Sequence, residues 1–266
     1  MMDTPTNANT RARHGRLVLM PNTLDLGTGH EVDLGELLPQ AVIARAAGLG
    51  HWVAENAKTA RAFLKRVDAR VPLAQPLQQI TITELPRPAK GGARGVAAPT
   101  LAPLLAPALA GHDIGLISEA GMPAVADPGA ALVLAAHELG LTVEPLVGPS
   151  ALLLALAASG LNGQQFAFVG YLPVEAPARA ARIRELEAHS RRHQQTQLAI
   201  ETPYRNEAQL AALIDQLQPG TRLSVASGLS LPNARCRTLS VAQWRQQGPG
   251  DALGDRLPAV FGWLAG

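Results

Sequence analysis

Two carboxylates and several small residues follow a short apolar segment in the stretch GLISEAGMPAVADPG, residues 115–129. Gly and Pro occur too often here for a helix or a long strand. Gly121 would let a ligand approach the backbone, whose N–H and C=O groups could hydrogen-bond to it. Glu119 or Asp127 could accept hydrogen bonds from ligand hydroxyls. The alternative is a plain connection between a strand and a helix, with Asp127 as the N-cap and a proline in the first turn.

A second stretch, VGPSALLLALAASG at residues 147–160, places Ser150 before an apolar helical run. The positive end of that helix would attract negative charge, and its small residues would permit close approach of a ligand. A capped core helix explains the same pattern. The letters GPSAL do not match the G-x-S-x-G pattern of a nucleophile elbow, so we do not predict a hydrolase.

Two further segments could contact nucleic acid. In ETPYRN, residues 201–206, Tyr204 could stack on a base and Arg205 could pair with a phosphate or a carboxylate. In RAARIRELEAHSRR, residues 179–192, Arg179 and Arg182 could contact RNA. A surface turn and a solvated helix face are the corresponding structural explanations.

These loops must be positioned by strands that alternate with helices, a pattern that predicts an α/β fold with mostly parallel sheets. The predicted strands are Leu17–Met20, His51–Ala54, Ile114–Ile117, 142–147, a strand followed by a turn within FAFVGYLP at 166–173, Gln197–Ile200 and Arg222–Ser227. The predicted helices are 34–47, 59–67, 130–139, 151–159, 179–190 and 206–217, the last capped by Asn206, and an irregular segment before another helix is expected between 86 and 111. Ligands collect at the carboxyl ends of parallel strands. We therefore expect the loops PNTLDLG, SEAGMPAVADPG and VGPS to open on one edge.

Composition excludes several classes of protein. The chain has 266 residues, of which 47% are hydrophobic, so it can bury a substantial core. Cys236 is the one cysteine, which rules out an intrachain disulfide, and the seven His residues show no metal-ligand spacing. No GxxxxGK[ST] motif indicates ATP hydrolysis. A pI near 9.0 is compatible with nucleic-acid binding.

The N-terminal residues, the longest apolar run and a change of pattern near residue 149 indicate how the chain is divided into a tail and two domains. Residues 1–14 are polar and predict a disordered tail without a signal peptide. The longest apolar run, Ala151–Ala158, is far shorter than the roughly 20 residues needed to span a bilayer. A new strand-helix rhythm after residue 149 predicts domains at 15–148 and 149–266. We expect a cytoplasmic protein that does not bind membranes.

Taken in order, the motifs resemble those of the tetrapyrrole (corrin/porphyrin) methylase superfamily, and in particular the small-subunit ribosomal RNA ribose 2′-O-methyltransferase I family. The family stretch S-D-A-G-x-P…S-D-P-G is similar to the chain from Ser118 to Gly129. The family motifs P-G-P-S-A, A-S-G-L, F-x-G-F-L-P and E-S-P-H-R are matched by VGPSA at 147–151, ASGL at 158–161, FVGYLP at 168–173 and ETPYR at 201–205. Spacing and order agree from about residue 112 to 226.

The resemblance implies an α/β fold of two α/β domains of the tetrapyrrole methylase type with the ligand cleft between them, usually in a homodimer. It implies an S-adenosylmethionine-dependent methyltransferase, with S-adenosylmethionine as methyl donor, no metal, and a ribose 2′-hydroxyl of ribosomal RNA in the small subunit as one acceptor. The cofactor-binding residues that it implies are Pro21, Glu119, Ala120, Gly121, Pro123, Pro149, Ser150, Tyr171, Pro203, Tyr204 and Ala226. For substrate binding we single out Arg179, Arg182 and Arg205.

Departures from the family pattern leave two alternatives open. The family's T-P-I-G-N-L, A-E-D-T-R and A-R-E-L-T-K are here MPNTLD at 20–25, AENAK at 54–58 and ASGLSL at 226–231, and the polar H-E-H-N near 86–98 is absent. A tetrapyrrole C-methyltransferase of the uroporphyrin-III type would need fewer arginine contacts to phosphate. A non-catalytic homologue that binds S-adenosylmethionine would need none of the lost charges. Glu55 and Glu119 are the remaining candidates for a catalytic base.

Overall fold

The computed structural model of the chain describes residues 14–25, 28, 30–86, 101–253 and 257–266. The chain forms two compact units, the first made of residues 1–22 and 34–148 and the second of residues 23–33 and 149–266. The tail predicted at 1–14 lies outside the described residues except for His14. The limits of two separate domains at 15–148 and 149–266 stay a prediction.

The first unit is built on a five-stranded sheet in which every strand runs parallel to its neighbours. Its strands are β1 (Arg16–Met20), β2 (His51–Ala54), β3 (Thr81–Glu84), β4 (Ile114–Ile117) and β5 (Thr142–Pro145), in the order β3-β2-β4-β1-β5. All four residues of β4 are buried, as expected for a central parallel strand covered on both faces. A parallel sheet here confirms the sequence prediction.

Helices cover this sheet and bury its apolar side chains. They are α1 (Leu34–Leu37), α2 (Gln40–Ala47), α3 (Ala57–Asp68), α4 (Ala106–Leu109) and α5 (Ala130–Glu138), with 3-10 turns at Leu77–Gln79 and Ala102–Leu105. The single helix predicted at 34–47 is wrong in one respect, because Pro39 cannot continue α1 and instead precedes α2. The helix expected before Gly111 is confirmed at 101–109, whereas the irregular segment expected before it lies outside the described residues at 87–100.

The second unit has a mixed sheet. Its strands are β6 (Phe166–Gly170), β7 (Thr196–Glu201), β8 (Arg222–Ser227), β9 (Arg235–Ser240) and β10 (Ala259–Leu264), in the order β6-β7-β10-β8-β9. Only β6 and β7 pair in parallel; β10 lies antiparallel between β7 and β8, and β9 is antiparallel to β8. The expectation of a mostly parallel sheet is therefore wrong for this unit, because the last strand of the chain enters the middle of the sheet.

In the described part of the second unit, the helices are α6 (Ala151–Ser159), α7 (Ala176–His193), α8 (Asn206–Gln216) and α9 (Val241–Gln247), with a 3-10 turn at Pro203–Arg205. The core includes Trp244, Phe261 and Trp263, all fully buried. Asn206 was predicted to cap α8, but it is the first helical residue and its amide donates to the Leu257 carbonyl at 2.8 Å. A buried hydrogen bond to the chain leading into β10 takes the place of the cap.

The α/β fold class is confirmed, and every strand predicted from the sequence is present within a few residues of its expected limits. Strands β3, β9 and β10 and helix α9 were not predicted. Within the described residues, no helix combines the length and apolar character that crossing a bilayer would require.

Candidate functional site

Several loops meet at one edge of the first sheet because its strands are parallel. Pro21 follows β1, Glu55 follows β2, Ser118 follows β4, and Gly148 lies shortly after β5. The carboxyl ends of parallel strands lie at the same edge, which is where ligands bind in such sheets. For these residues of the first unit, the expected convergence of the PNTLDLG, SEAGMPAVADPG and VGPS loops is confirmed.

Asn22 holds the loop after β4 by three hydrogen bonds. Its backbone N–H donates to the Gly121 carbonyl at 2.9 Å, and its side-chain amide donates to the carbonyls of Ser118 at 3.1 Å and Glu119 at 3.0 Å. Asn22 is only 4% exposed, so these bonds are shielded from water. The β4 loop is thereby fixed to the end of β1, although the sequence singled out Pro21 and not Asn22.

Small residues are required where these loops approach one another. A Cβ on Gly148 would lie 2.2 Å from Cβ of Pro21, so only glycine fits there. Gly121 has a φ of 65°, which favours glycine over any other residue. The result is a cradle of backbone at the end of β1, β4 and β5, formed by Pro21, Asn22, Ser118–Pro123 and Gly148, which we call the backbone cradle.

Beside the backbone cradle lie three carboxyl groups. Glu119 Oε1 accepts a hydrogen bond from the Asn56 amide at 3.0 Å and from the Thr59 hydroxyl at 3.4 Å. Glu55 Oε2 accepts one from the backbone N–H of Glu119 at 3.2 Å. These hydrogen bonds fix both glutamate side chains at the edge of the sheet.

Asp127 is the third carboxyl group, and its predicted role as a helix cap is wrong. Helix α5 begins at Ala130 after Gly129, with no side-chain cap, because the chain turns at Gly129 with a φ of 135°. Burial and then the negative charges of Glu55 and Glu119 raise the pKa of Asp127 to about 7 from 3.8, while the Ser118 hydroxyl lowers it. Glu55 follows β2 and Glu119 follows β4, and these strands are parallel neighbours. This pattern in the sequence could have indicated an acidic cluster, with Asp127 in the same loop as Glu119.

The predicted cofactor-binding residues of the second unit occupy one edge of its sheet. Tyr171 follows β6, Pro203 and Tyr204 follow β7, and Ala226 is the last residue but one of β8. Strand β8 runs in the same direction as β6 and β7, since β10 is antiparallel to both β7 and β8. Their carboxyl ends therefore share an edge. Pro149 and Ser150 precede α6, where Ser150 takes the N-cap position but makes no side-chain capping bond.

The ETPYR turn combines a fixed arginine with an exposed aromatic ring. Arg205 donates from Nε at 2.9 Å and from Nη2 at 2.7 Å to Oε1 of Glu201, a hydrogen bond that raises the pKa of Arg205. The Tyr204 ring is 79% exposed, and its centroid lies 5.2 Å from the guanidinium carbon of Arg205. The turn thus presents an open aromatic face beside a permanent positive charge.

The two arginines of α7 that were singled out for substrate binding also have protein partners. Arg179 donates from Nη1 to the Val174 carbonyl at 2.9 Å, and Arg182 pairs with Glu185 at 2.8 Å. Their predicted contacts with substrate, like those of Arg205, stay predictions. Among the residues that the structure describes, no group of three His, Cys, Asp or Glu side chains could hold a metal ion.

Comparison with known families and proteins gives a consistent result. A model of the Tetrapyrrole (Corrin/Porphyrin) Methylases matches residues 43–243. The ribosomal RNA small subunit methyltransferase I of Pseudomonas aeruginosa PAO1 is 35% identical over 158 residues, which cover 58% of this chain and 55% of that protein. The protein of the same name from Xylella fastidiosa is 46% identical over 83 residues, 31% of this chain and 30% of that protein. The chain thus spans about half the length, or less, of the curated relatives it matches.

Solved structures show the same fold at low sequence identity. The methyltransferase CobJ superposes with a TM-score of 0.53 and 19% identity, over 93% of this chain and 93% of that one. A conserved hypothetical protein from Aeropyrum pernix K1 superposes with a TM-score of 0.59 and 13% identity, over 93% of this chain and 84% of that one. At such identities the likeness concerns the fold alone.

Proposed function

Because the chain belongs to the tetrapyrrole (corrin/porphyrin) methylase family, we propose that it is an S-adenosylmethionine-dependent methyltransferase that acts on a ribose 2′-hydroxyl of small-subunit ribosomal RNA. The observation that carries the proposal is the backbone cradle at the end of β1, β4 and β5, where Asn22 fixes the loop from Ser118 to Gly121. Small-subunit ribosomal RNA as the acceptor is supported by the name shared by the curated relatives, ribosomal RNA small subunit methyltransferase I, and the ribose 2′-hydroxyl is supported by the motif resemblance.

The residues of the backbone cradle fit a methyl donor with an adenosine and an amino-acid part. Gly121 and Ala120 leave room for a ligand against the backbone, and the carbonyls of Ser118, Glu119 and Gly121 are oriented by Asn22. Among the described residues, the two hydrogen bonds that the Glu119 side chain accepts are both at Oε1, which leaves Oε2 for a ligand hydroxyl. When bound, the donor supplies a methyl group already activated by its sulfonium, so the reaction needs no metal.

The protein has two tasks in such a reaction. It must align the acceptor oxygen with the methyl group, and it must receive the proton that the hydroxyl loses. Alignment is served by fixed groups such as the Asn22-held loop, since a rigid site loses little entropy on binding. The acidic cluster of Glu55, Glu119 and Asp127 lies beside that loop and supplies the groups that can take a proton.

Recognition of RNA is assigned to the ETPYR turn. Sequence-specific recognition of RNA relies on unpaired bases that stack on aromatic rings or arginine planes. Tyr204 offers a ring that is 79% exposed, and Arg205 lies beside it in an orientation fixed by Glu201. Arg179 and Arg182 are proposed to contact the same RNA. We propose further that the protein is cytoplasmic, where ribosomal subunits are found, and that it is a homodimer as the family resemblance implies.

The two other functions considered from the sequence have less support. A tetrapyrrole C-methyltransferase is disfavoured because the curated relatives carry a ribosomal RNA name. A non-catalytic donor-binding homologue was motivated by charges missing at 227–231. In the structure Gly228 has a φ of 60° there, and a Cβ on it would lie 2.6 Å from Cδ1 of Leu257. The positions that lack these charges therefore form a turn whose geometry favours glycine. The carboxyl groups of the first unit, Glu55, Glu119 and Asp127, are present.

Calorimetry on ligand-free protein tests the proposal at its first step. We expect S-adenosylmethionine and S-adenosylhomocysteine to bind with one site per chain. A competing assay with uroporphyrinogen-type acceptors and small ribosomal subunits then separates the two acceptors. The absence of binding by either donor compound would refute the methyltransferase proposal, and transfer to the tetrapyrrole alone would refute the ribosomal acceptor.

A further inference from the structure

Two histidines meet near the end of α7. His189 and His193 are four residues apart, so their side chains project from the same face of the helix. Their ring centroids lie 4.4 Å apart with an angle of 40° between the rings, and both residues are exposed. The expectation that the histidines lack metal-ligand spacing therefore has an exception in α7, because an i, i+4 pair on one helix face can bind a metal ion.

Both imidazoles are available to a ligand from solvent. Neither ring has a hydrogen bond or an ion pair with the part of the chain that the structure describes, and their ring contact is with each other. Imidazole nitrogens are common ligands of Zn²⁺, Cu²⁺ and Ni²⁺. A metal ion would thus meet two exposed ligands of a suitable type without having to displace a protein partner.

The separation of the two rings matches that of a metal chelate. Metal–nitrogen bonds of about 2.0–2.1 Å place the centroids of two imidazoles about 4.5 Å apart when the bonds meet at a right angle. Square-planar and tetragonal sites, which Cu²⁺ and Ni²⁺ prefer, contain such right angles. The observed 4.4 Å between His189 and His193 therefore requires little movement of either side chain on binding.

The charges around the pair act in both directions. The carboxyl end of a helix carries partial negative charge, which attracts a cation to the last turn. Arg191 and Arg192 lie between the two histidines in the sequence and oppose a cation, although Arg191 Nε donates to the Gly266 carbonyl at 3.0 Å. Affinity must therefore come mainly from the two metal–nitrogen bonds and not from the local field.

We propose that His189 and His193 form a two-histidine site for a divalent transition-metal ion, which binds Cu²⁺ more tightly than Ni²⁺ or Zn²⁺, as the general order of metal affinities requires. Water fills the remaining positions of the ion, since no group of three His, Cys, Asp or Glu side chains among the described residues could hold a metal. The site lies outside the proposed methyl-transfer reaction, which needs no metal, so it can be tested without any measurement of activity.

A second pair of histidine rings is a weaker candidate for the same ion. The ring centroids of His51 and His112 lie 5.3 Å apart, but Nδ1 of His51 is buried and has no hydrogen-bond partner in the structure. A metal ion from solvent cannot reach a buried nitrogen without local opening at the start of β2. His112→Ala is therefore a control that should keep the tightest site.

The test is calorimetric titration of protein without an affinity tag with CuCl₂, NiCl₂ and ZnCl₂ at pH 7.5. His189→Ala and His193→Ala each remove one ligand. His137→Ala is the matched control, because His137 is an exposed histidine in the last turn of α5. Every protein, including the parent, also carries Cys236→Ser, since the exposed thiol of Cys236 could bind or reduce Cu²⁺.

We expect the parent protein to bind one Cu²⁺ at this site. His189→Ala and His193→Ala should each weaken that binding by about 10- to 100-fold, because the second metal bond of a chelate forms within one molecule. His137→Ala and His112→Ala should bind Cu²⁺ within about threefold of the parent. The EPR spectrum of the first equivalent of Cu²⁺ should show coupling to two nitrogens in the parent and to fewer in His189→Ala.

Several results would overturn the site. Parent-like Cu²⁺ affinity in His189→Ala and His193→Ala would show that neither ring is a ligand, and an equal loss in His137→Ala would show that the loss is not specific to the pair. Loss of the tightest site in His112→Ala would place it at the other ring pair. Tighter binding of Zn²⁺ than of Cu²⁺, or no saturable binding of any of the three ions, would also contradict the proposal. None of these outcomes bears on the proposed methyltransferase function.

Discussion

At the scale of single residues, the Asp127 carboxyl owes its properties to its neighbours. The chain brings it near Glu55 and Glu119, and its partial burial reduces the screening of their negative charges by water. Ionising Asp127 therefore costs free energy in the folded protein that it does not cost in the unfolded chain. This arrangement makes the folded state sensitive to pH.

The first prediction concerns stability and pH. The folded pKa of Asp127 is about 7 and lies above its ordinary value of 3.8, so its stabilising contribution is complete below about pH 4 and is lost as the pH rises through about 7. Asp127→Asn removes this loss. Because one pKa unit corresponds to about 1.4 kcal/mol and the carboxyl stays partly exposed, the variant should exceed wild type in stability at pH 8 by about 1–3 kcal/mol.

Urea unfolding at pH 5 and pH 8 measures this difference. The gain in unfolding free energy of Asp127→Asn over wild type should be larger at pH 8 than at pH 5, with equal m-values. A gain of the same size at both pH values would show that the Asp127 carboxyl ionises in the folded protein as it does in the unfolded chain.

The second prediction concerns the backbone cradle. Gly121→Val places a branched side chain at a φ of 65° in the predicted donor site, whereas Gly140→Val does so at a φ of 69° with no other atom within 4 Å of its Cβ. Both variants carry backbone strain of about 1–2 kcal/mol. Only Gly121→Val should also weaken donor binding, by about 10- to 100-fold, since overpacking costs about 1–3 kcal/mol.

Calorimetry with S-adenosylhomocysteine, together with urea unfolding of both variants, separates the two effects. Equal donor affinity of the two variants would mean that the donor does not lie against Gly121.

At the scale of helices and strands, the sequence predicted the elements with the clearest patterns. The apolar runs of β1, β2 and β4 and the amphipathic spacing of α3 were sufficient to place them. Strand β3 has a weaker pattern, TITE, with mostly exposed side chains at the edge of its sheet. The position of β10 could not be predicted, because its pairing depends on contacts about 60 residues away in β7 and about 30 to 40 residues away in β8, and not on local pattern.

The candidate site was predictable only in part, because it also depends on contacts between residues that are far apart in the sequence. The loops with Pro21, Glu119 and Gly121 stood out because Gly, Pro and carboxylates follow apolar strands. The role of Asn22 depends on β1 and β4 being neighbours, which the sequence does not state. Asp127 does not cap α5, because Gly129, with a φ of 135°, takes the N-cap position and the helix begins at Ala130. The sequence does not specify that backbone conformation.

The third prediction tests how β2 and β4 fit together. Gly115 of β4 pairs with Trp52 of β2, and a Cβ on Gly115 would lie 2.6 Å from Cε3 of the indole ring. Gly115→Ala should therefore destabilise the protein by about 1–3 kcal/mol through overpacking. Gly163→Ala, where a Cβ meets nothing within 4 Å, is the control and should change stability by less than about 1 kcal/mol. If urea unfolding gives the two variants the same stability, the indole ring does not cover Gly115.

At the scale of the whole molecule, the chain combines a slightly positive net charge of +2 with an exposed Tyr204 ring beside Arg205 on its second unit, the turn that we propose for RNA recognition. The charge is too small to bind RNA by itself, so binding must come from local groups. Tyr204 is the most exposed of the large hydrophobic side chains that the structure describes, which makes it the best candidate for stacking on a base.

The fourth prediction follows from this exposure. Tyr204→Ala should raise KM for small ribosomal subunits about 5- to 100-fold, because stacking on an aromatic ring contributes about 1–3 kcal/mol per base. Tyr204→Phe should keep most of the affinity, since the ring is retained. Phe166→Ala removes an aromatic side chain that is 41% exposed at the start of β6, the opposite end of that strand from Tyr171, and should leave KM unchanged. Equal effects of Tyr204→Ala and Phe166→Ala on KM would remove the ETPYR turn from the RNA contact.

The most direct test of the account is transfer of a radiolabelled methyl group from S-adenosylmethionine to small ribosomal subunits by the purified protein, followed by digestion of the RNA to nucleosides. We predict that the label is recovered as one 2′-O-methylated nucleoside and that Gly121→Val, at a donor concentration below the affinity of the variant, lowers its yield about 10- to 100-fold. Recovery of no label in the RNA, with full activity of a known methyltransferase on the same subunits, would contradict the central claim.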